Sequence, residues 1–355
     1  MTGAFWPGRR VLVTGHTGFK GAWLCLWLER LGAEVAAFAL PPTGPRSLWA
    51  QLSLRTHSSV ADLRDPGAVR DAVRAARPQV VFHLAAQALV RESYREPIAT
   101  FATNVLGTAH LLEACRGIED LGAVVVVTSD KVYENDGAGR AFEERDRLGG
   151  HDPYSASKAC AELVTASYRD SFFAGGPPIA TARAGNVIGG GDRSPDRLIP
   201  DCVRALEAGE PVRLRYPGAV RPWQHVLDPL AGYLQLARAL AGDPARAPRR
   251  VNFGPDPGSF RSAAEVVDAF GTHFAGRPGW RPEGTPQPAE AATLCLSSAL
   301  ARAELGWRPR LDFDAAIAWT AEWHRAVEAG EDADAVTRAQ IDRYARSIAI
   351  DGGIR

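Results

Sequence analysis

The sequence predicts an α/β protein built on a doubly wound parallel sheet, with a second, smaller and more irregular α/β lobe. Three observations carry that expectation. Short, almost wholly aliphatic runs alternate with amphipathic stretches through the first half of the chain, the pattern of parallel strands covered on both faces by helices. A glycine-rich turn stands directly between the first such run and the first amphipathic stretch. After about residue 190 the alternation is broken by "GGGDRSPDR", "LRYPGAVRPW" and "FGPDPGSF", where Gly and Pro interrupt regular elements.

Taken in order, "RVLVTG" predicts the first strand and residues 19–31 the helix after it. "EVAAFAL" and "HSSVAD" follow as strands, and Asp65 then opens a helix with Pro66 in its first turn, a good start signal. "QVVFHLA", "AVVVVTS" and "IATAR" continue the strand series. Residues 1–190 therefore form the first domain, completed by segments near 225–255, and residues 191–355 form mainly the second lobe. Within that lobe, residues 228–241, 262–275 and 311–328 are amphipathic at helical spacing, and some of these helices are expected to fold back onto the first lobe. Neither an internal repeat nor a low-complexity tract is present.

At 355 residues and 46% apolar content, the chain is long enough for two lobes with their own cores. Lys plus Arg and Asp plus Glu both total 41 and are interspersed, so no bulk field recruits nucleic acid or an anionic membrane. A charged substrate must be held locally. The five cysteines are scattered, which suits reduced core thiols in a cytoplasm rather than disulfides or a metal site. The apolar run after Arg9 and Arg10 is interrupted by glycines and Lys20 and closed by Glu29 and Arg30, a pattern that fits neither a spanning helix nor a signal peptide.

In "VTGHTGFKG" the glycines Gly15, Gly18 and Gly21 follow the first strand and open the first helix. Such a turn lets backbone N–H groups approach a pyrophosphate, with the positive end of the helix behind them. Thr17, Phe19 and Lys20 belong to the same candidate dinucleotide cradle, and the domain is of Rossmann type. The spacing is GxxGxxG rather than GxGxxG, and a plain glycine turn is the alternative. The second strand ends in "FALPP", without an acid for a ribose hydroxyl, and Arg46 lies beyond two prolines. Charge therefore does not decide between NAD and NADP.

"PYSASKA" places Tyr154 and Lys158 four apart on a helix behind Pro153, so they share one face. An ammonium beside a phenol favours phenolate, which makes Tyr154 a candidate base near neutral pH. "VVVVTSDKVYEN" crowds Ser129, Asp130 and Lys131 at the end of a buried strand. Neighbours on an extended strand face opposite sides, so Asp130 and Lys131 can act on one ligand only if the strand has ended and the chain turns. A solvated Asp130–Lys131 ion pair is the plain alternative.

These features resemble the extended, nucleotide-sugar-modifying branch of the short-chain dehydrogenase/reductase superfamily. The resemblance covers most of the chain and includes "VFHLAAQ", "TNVLGTAHLLEA", "YSASKACAE", "RAGNVIGGGD" and "RPWQHVLDPLAGYL". It implies that Asp62, Leu63, Leu84, Ala85, Ala86 and Thr103 join the glycine turn, Tyr154 and Lys158 around the cofactor. Gln87 and Arg91 would face the sugar or a neighbouring phosphate. Asn186, Arg197, Leu198, Tyr216, Arg221 and His225 would hold the nucleotide part of the substrate.

In the 4,6-dehydratases of this branch the residues after the fifth strand resemble Thr-Asp-Glu; here they are Ser129, Asp130 and Lys131. That version is similar to the CDP-glucose 4,6-dehydratase family, as are "HLAAQALVRESYREP", "LGGHDPYSASKA" and "RLIPD". The implied activity is that of a lyase acting on CDP-glucose. Tyr154, with Lys158 and Ser129, takes the O4 proton; Lys131 takes the C5 proton; Asp130 protonates the leaving 6-hydroxyl. An internal redox cycle needs an oxidised cofactor kept bound, which favours NAD. A nucleotide-sugar 4-epimerase, or a dehydratase of another nucleotide sugar, is the competing enzyme reading, and a silent dinucleotide sensor is the non-enzymatic one. Tyr216 and Arg193 depart from the family pattern. Segments 97–116 and 153–173 resemble helices that pair subunits, which implies a homodimer or a tetramer. The polar stretch at 134–152 is expected to be a flexible cover over the site.

Overall fold

The structure, a computed structural model, describes residues 5–275, 279–285 and 291–349. Seven parallel strands form the central sheet: β1 (Arg10–Thr14), β2 (Glu34–Ala39), β3 (His57–Val60), β4 (Val80–His83), β5 (Ala123–Val127), then Ile179–Ala184 and Arg250–Phe253. Edge to edge the order is Arg250–Phe253, Ile179–Ala184, β5, β4, β1, β2, β3. The chain winds outward in one direction through β2 and β3, then returns to β4 on the other side of β1. That reversal opens a crevice at the carboxyl ends of β1 and β4, the place where open α/β sheets bind ligands.

Alternation along each strand separates two cores. Val11, Val13, Phe82 and Val125 point into the larger one, and Leu12, Val81, Val124 and Val126 into the other. Helix α1 (Phe19–Arg30) and the helix Leu227–Gly242 pack in the larger core, and α1 is buried over almost its whole circumference. The opposite face carries α2 (Pro66–Ala76), which Asp65 caps by accepting from the N–H groups of Gly67 and Ala68. The helices expected at 228–241, 262–275 and 311–328 are Leu227–Gly242, Ala263–Gly271 and Phe313–Glu328.

A further helix, Ala333–Ala349, folds back onto the first lobe. Ala333, Ile341, Tyr344 and Ile348 fall on one face of it and enter the larger core. Arg30 of α1 grips Asp342 at 2.6 Å, and Trp27 meets Tyr344 edge-on at 5.6 Å. The Tyr344 hydroxyl also donates to Asp228 Oδ1 at 2.6 Å.

The stretch at 134–152 corrects an expectation: it is a bracket, not a cover. Ala141–Phe142 pairs in parallel with Cys295–Leu296, and Phe142 stacks on Tyr133 with centroids 4.9 Å apart. Glu144 accepts from the Asn252 N–H at 2.8 Å. None of these residues lines the main cavity. The five cysteines are free thiols, and among the described residues no helix is long and apolar enough to cross a membrane.

Burial pushes the Asp228 carboxyl up to about 7. A carboxyl raised in the folded state stabilises the fold fully below its unfolded value, and that contribution is lost as pH rises through the folded value. Asp228→Asn is therefore predicted to gain about 2 kcal/mol on the unaltered protein between pH 5 and pH 8. Urea unfolding at the two pH values measures this, and a constant difference between the proteins contradicts it.

Candidate active site

The crevice is built first by glycine. Gly15 has φ +77, and a Cβ there would lie 2.6 Å from the Ala85 nitrogen; a Cβ on Gly21 would meet the Gly15 carbonyl oxygen at 2.2 Å. Strand, turn and helix can approach this closely only without side chains. Helix α1 begins after Gly18 with no side-chain cap and no acid in its first turn. Its leading N–H groups are left for an anion, with the helix dipole behind them. Thr17 donates to the Leu40 carbonyl at 3.0 Å, and Asp62 is held in a fork by Arg64. The cradle has the shape and donor set that a dinucleotide diphosphate requires.

From this turn one cavity of about 1180 Å³ runs past the end of β5 to the second lobe. Every residue expected at cofactor or substrate lines it, except His225. Sequence resemblance placed His225 at the nucleotide; the structure places it in the core. The strand Gln224–His225 pairs with Val187–Ile188, and the imidazole is fully buried between Trp23 at 6.0 Å and Trp319 at 5.8 Å. Burial pushes it down to about 3, so it is neutral.

β5 ends at Val127, Ser129 is extended, and Asp130–Val132 form a single tight helical turn. The chain therefore bends where Asp130 and Lys131 need it to, and both reach the cavity. Ser129 Oγ donates to Asp130 Oδ1 at 3.0 Å and accepts from the Lys131 N–H at 3.2 Å. Asp130 is 3% exposed. Burial raises its carboxyl, with Lys131, the Ser129 hydrogen bond, Arg221 and Lys20 opposing. Its Oδ2 has no partner among the described residues.

Helix α3 (Val90–Arg95) follows the loop after β4, and α4 (Pro97–Phe101) and α5 (Gly107–Cys115) flank one wide helical turn at Ala102–Leu106. Wide turns of this kind recur at functional sites. Asn104 in that turn accepts from the Gln87 N–H at 2.8 Å and donates to the Gln87 carbonyl and to Ser157 Oγ. It fixes the loop after β4 against the helix Pro153–Phe172, a link that nothing in the sequence signals. The Gln87 amide is itself committed to Leu89 and Thr100.

Helix α6 (Pro153–Phe172), capped by Asp152, carries Tyr154, Lys158 and Glu162 at successive four-residue steps. Lys158 Nζ donates to the Val127 carbonyl at 3.1 Å, and burial lowers it to about 8. Burial pushes the Tyr154 phenol up to about 12, against the pull of a Ser129 hydrogen bond. Desolvation outweighs the Ser129 hydrogen bond and the field of Arg197, so these side chains alone do not make Tyr154 a ready phenolate.

Behind the turn lies a buried ion pair. Arg183 and Glu162, 1% and 4% exposed, meet at 2.8 Å. Thr128 donates to Glu162 Oε1 at 2.6 Å, and Arg183 donates to the Tyr133 hydroxyl at 2.7 Å. Thr128 and Tyr133, on either side of the Ser129–Lys131 turn, are thus tied to one pair. Both members had a signal: Glu162 extends the i+4 series of Tyr154 and Lys158, and Arg183 interrupts an apolar strand.

On the second-lobe side, Arg197 pairs with Asp192 at 3.0 Å. Arg91 reaches from α3 to Asp196 at 2.8 Å, and Asp196 holds an uncommon left-handed φ of +59. Asn186, Leu198, Tyr216 and Arg221 complete this wall, and Arg193, also on it, pairs with Glu207 at 2.8 Å.

Residues 11–254 match the model of the NAD dependent epimerase/dehydratase family. The chain belongs to that family. Over 349 residues it is 43% identical to the CDP-glucose 4,6-dehydratase of Salmonella typhimurium, covering 96% of this chain and 97% of that one. It is 29% identical over 336 residues to the dTDP-glucose 4,6-dehydratase of Xanthomonas campestris pv. campestris, covering 88% and 92%. Among solved structures, the UDP-glucose 4-epimerase of Thermus thermophilus in complex with NAD aligns with a TM-score of 0.77 at 30% identity, over 89% of this chain and 99% of that one. NAD is the cofactor of the family, and the glycine cradle of this chain fits it.

Proposed function

We propose that the protein dehydrates CDP-D-glucose to CDP-4-dehydro-6-deoxy-D-glucose, as a hydro-lyase with bound NAD. The observation that carries this reading is Asp130: a carboxyl raised by burial, on a tight turn, facing the same cavity as Tyr154. A 4-epimerase needs no acid for a 6-hydroxyl, and a sensor needs only the glycine cradle. The name and 43% identity of the Salmonella relative support the same reaction.

NAD held by the glycine turn, Tyr154 and Lys158 would supply the hydride acceptor and donor that C4 and C6 need, and a positive charge. Tyr154 takes the O4 proton; the Ser129 hydrogen bond and the field of Arg197 favour its phenolate. The 4-ketone acidifies the C5 hydrogen, and Lys131, entering from the same turn as Asp130, removes it. Asp130 protonates the leaving 6-hydroxyl, a task that burial favours by raising its carboxyl. Lys158 holds the end of β5 through the Val127 carbonyl. Asn186, Arg197, Leu198, Tyr216 and Arg221 hold the nucleotide diphosphate, where arginine offers a planar fork to phosphate. Gln87 and Arg91 close the sugar end.

The active form is a homodimer in a cytoplasm. Ile98, Leu106, Leu163 and Phe172 lie exposed on the segments 97–115 and 153–172, Ile98 at 80%. Apolar groups gathered on two neighbouring helices mark a surface that a second copy covers.

Incubation with CDP-glucose in D2O tests the reaction. The product expected is a 4-keto, 6-deoxy sugar nucleotide with solvent deuterium at C5; a C4 epimer without deuterium contradicts the proposal. Sedimentation across a range of concentrations is expected to show a dimer, and a monomer throughout would remove the second copy from the account.

A further inference from the structure

An ion pair joins the two lobes across the cavity. Arg91, on α3, donates from Nη1 to Asp196 Oδ1 at 2.8 Å, and both residues line the cavity. Asp196 belongs to the second-lobe loop that runs from Asp192 to Arg197. Two further arginines lie around the same carboxylate: Arg95 of α3 at 3.9 Å from Oδ2, and Arg215 at 3.9 Å from Oδ1. The Arg91 and Asp196 side chains are 37% and 22% exposed, which puts the pair at the rim of the cavity rather than in its depth.

Each half of the pair is anchored in its own lobe. Ser93 Oγ, two residues along α3, accepts from the Tyr154 N–H at 3.1 Å, so the element carrying Arg91 is fixed to the start of α6. On the opposite side Asp192 accepts from the Ser194 N–H at 3.0 Å and pairs with Arg197 at 3.0 Å, while Arg215 donates to the Asp196 carbonyl at 3.1 Å. Asp196 itself is held at φ +59, a left-handed conformation that a residue with a side chain adopts at a cost. Glycine would relieve the strain, yet only a carboxylate gives the arginines a shared partner. A partly exposed pair contributes little to stability, so stability does not account for the strain. Strain of this kind collects at ligand clamps.

We propose that Asp196 is a positioning residue that clasps the two lobes over the bound sugar nucleotide and retains the 4-keto intermediate until the hydride returns, an inference that rests on the dehydratase reading. The need is chemical. Once C4 has given up a hydride and O4 a proton, the sugar nucleotide is a ketone held by no covalent bond, and its escape strands two electrons on the nicotinamide. A contact that closes from wall to wall at the rim slows that escape without touching the reacting atoms. Arg197 follows Asp196 directly, so the loop that grips the diphosphate is also the loop that the clasp holds.

Asp196→Asn keeps the size of the side chain and tolerates the left-handed backbone, and Arg91→Gln removes the opposite half of the contact. With CDP-glucose as the probe, KM is expected to rise roughly fivefold in Asp196→Asn, while the initial kcat falls less than about threefold. Both variants are expected to release a CDP-linked 4-keto sugar that has not lost water, leaving an equal amount of reduced nicotinamide on the protein. Loss of folded protein alone lowers the rate and strands no reduced nicotinamide. The double variant is expected to release no more of this ketone than either single one, since both changes break the same contact. Absence of undehydrated ketone from both variants overturns the clasp, as does release that adds up in the double variant. If the unaltered enzyme leaves CDP-glucose undehydrated, the dehydratase reading falls, and the role of the clasp with it.

Discussion

The buried pair of Glu162 and Arg183 is the constraint on which the rest of the site depends. Removing two charges from water is tolerable only when every remaining donor and acceptor is engaged. Here Glu162 accepts from Thr128, Thr181 and Arg183, and Arg183 also reaches the Tyr133 hydroxyl and the Glu144 carbonyl. The Tyr133 hydroxyl in turn donates to Asn252 on the edge strand of the sheet. Thr128 and Tyr133 bracket the turn at Ser129–Lys131, so the turn has little freedom. Asp130 is held in a poorly solvated position, which raises its carboxyl above the ordinary range.

The sheet decides what meets that acid. Its parallel strands deliver their carboxyl ends to one crevice, bringing the glycine turn after β1, the loop after β4 and the turn after β5 together. Helix α6 then lays Tyr154 and Lys158 across the end of β5. The second lobe contributes the arginines of the opposite wall. Redox and acid–base groups thereby share one cavity, which a reaction that oxidises, eliminates and reduces within one turnover needs.

Much of this was legible in the sequence for identifiable reasons. Strands buried on both faces are nearly continuous aliphatic runs, and close approach at Gly15 and Gly21 leaves a glycine signature. Tyr154 and Lys158 are legible because a helix brings every fourth residue to one face. What escaped depends on packing between distant segments. His225 sits in a polar-looking stretch, but the register with Val187–Ile188 carries it into the core beside Trp23 and Trp319. The polarity of residues 134–152 suggested a loose cover, yet Cys295–Leu296 pins it as a bracket. The burial that raises the Tyr154 phenol is likewise invisible in the YxxxK spacing. The contact of Arg91 with Asp196 joins the first lobe to the second, beyond the reach of any local spacing rule.

Replacing the buried acid examines the central claim most directly. Asp130→Asn preserves the size of the side chain and removes the transferable proton. With CDP-glucose, mass spectrometry and the absorbance of reduced nicotinamide are predicted to show C4 oxidation followed by arrest, with water loss slowed about 10³-fold. Formation of the dehydrated sugar nucleotide at the rate of the unaltered enzyme would show that the proton comes from elsewhere and would contradict the assignment of Asp130.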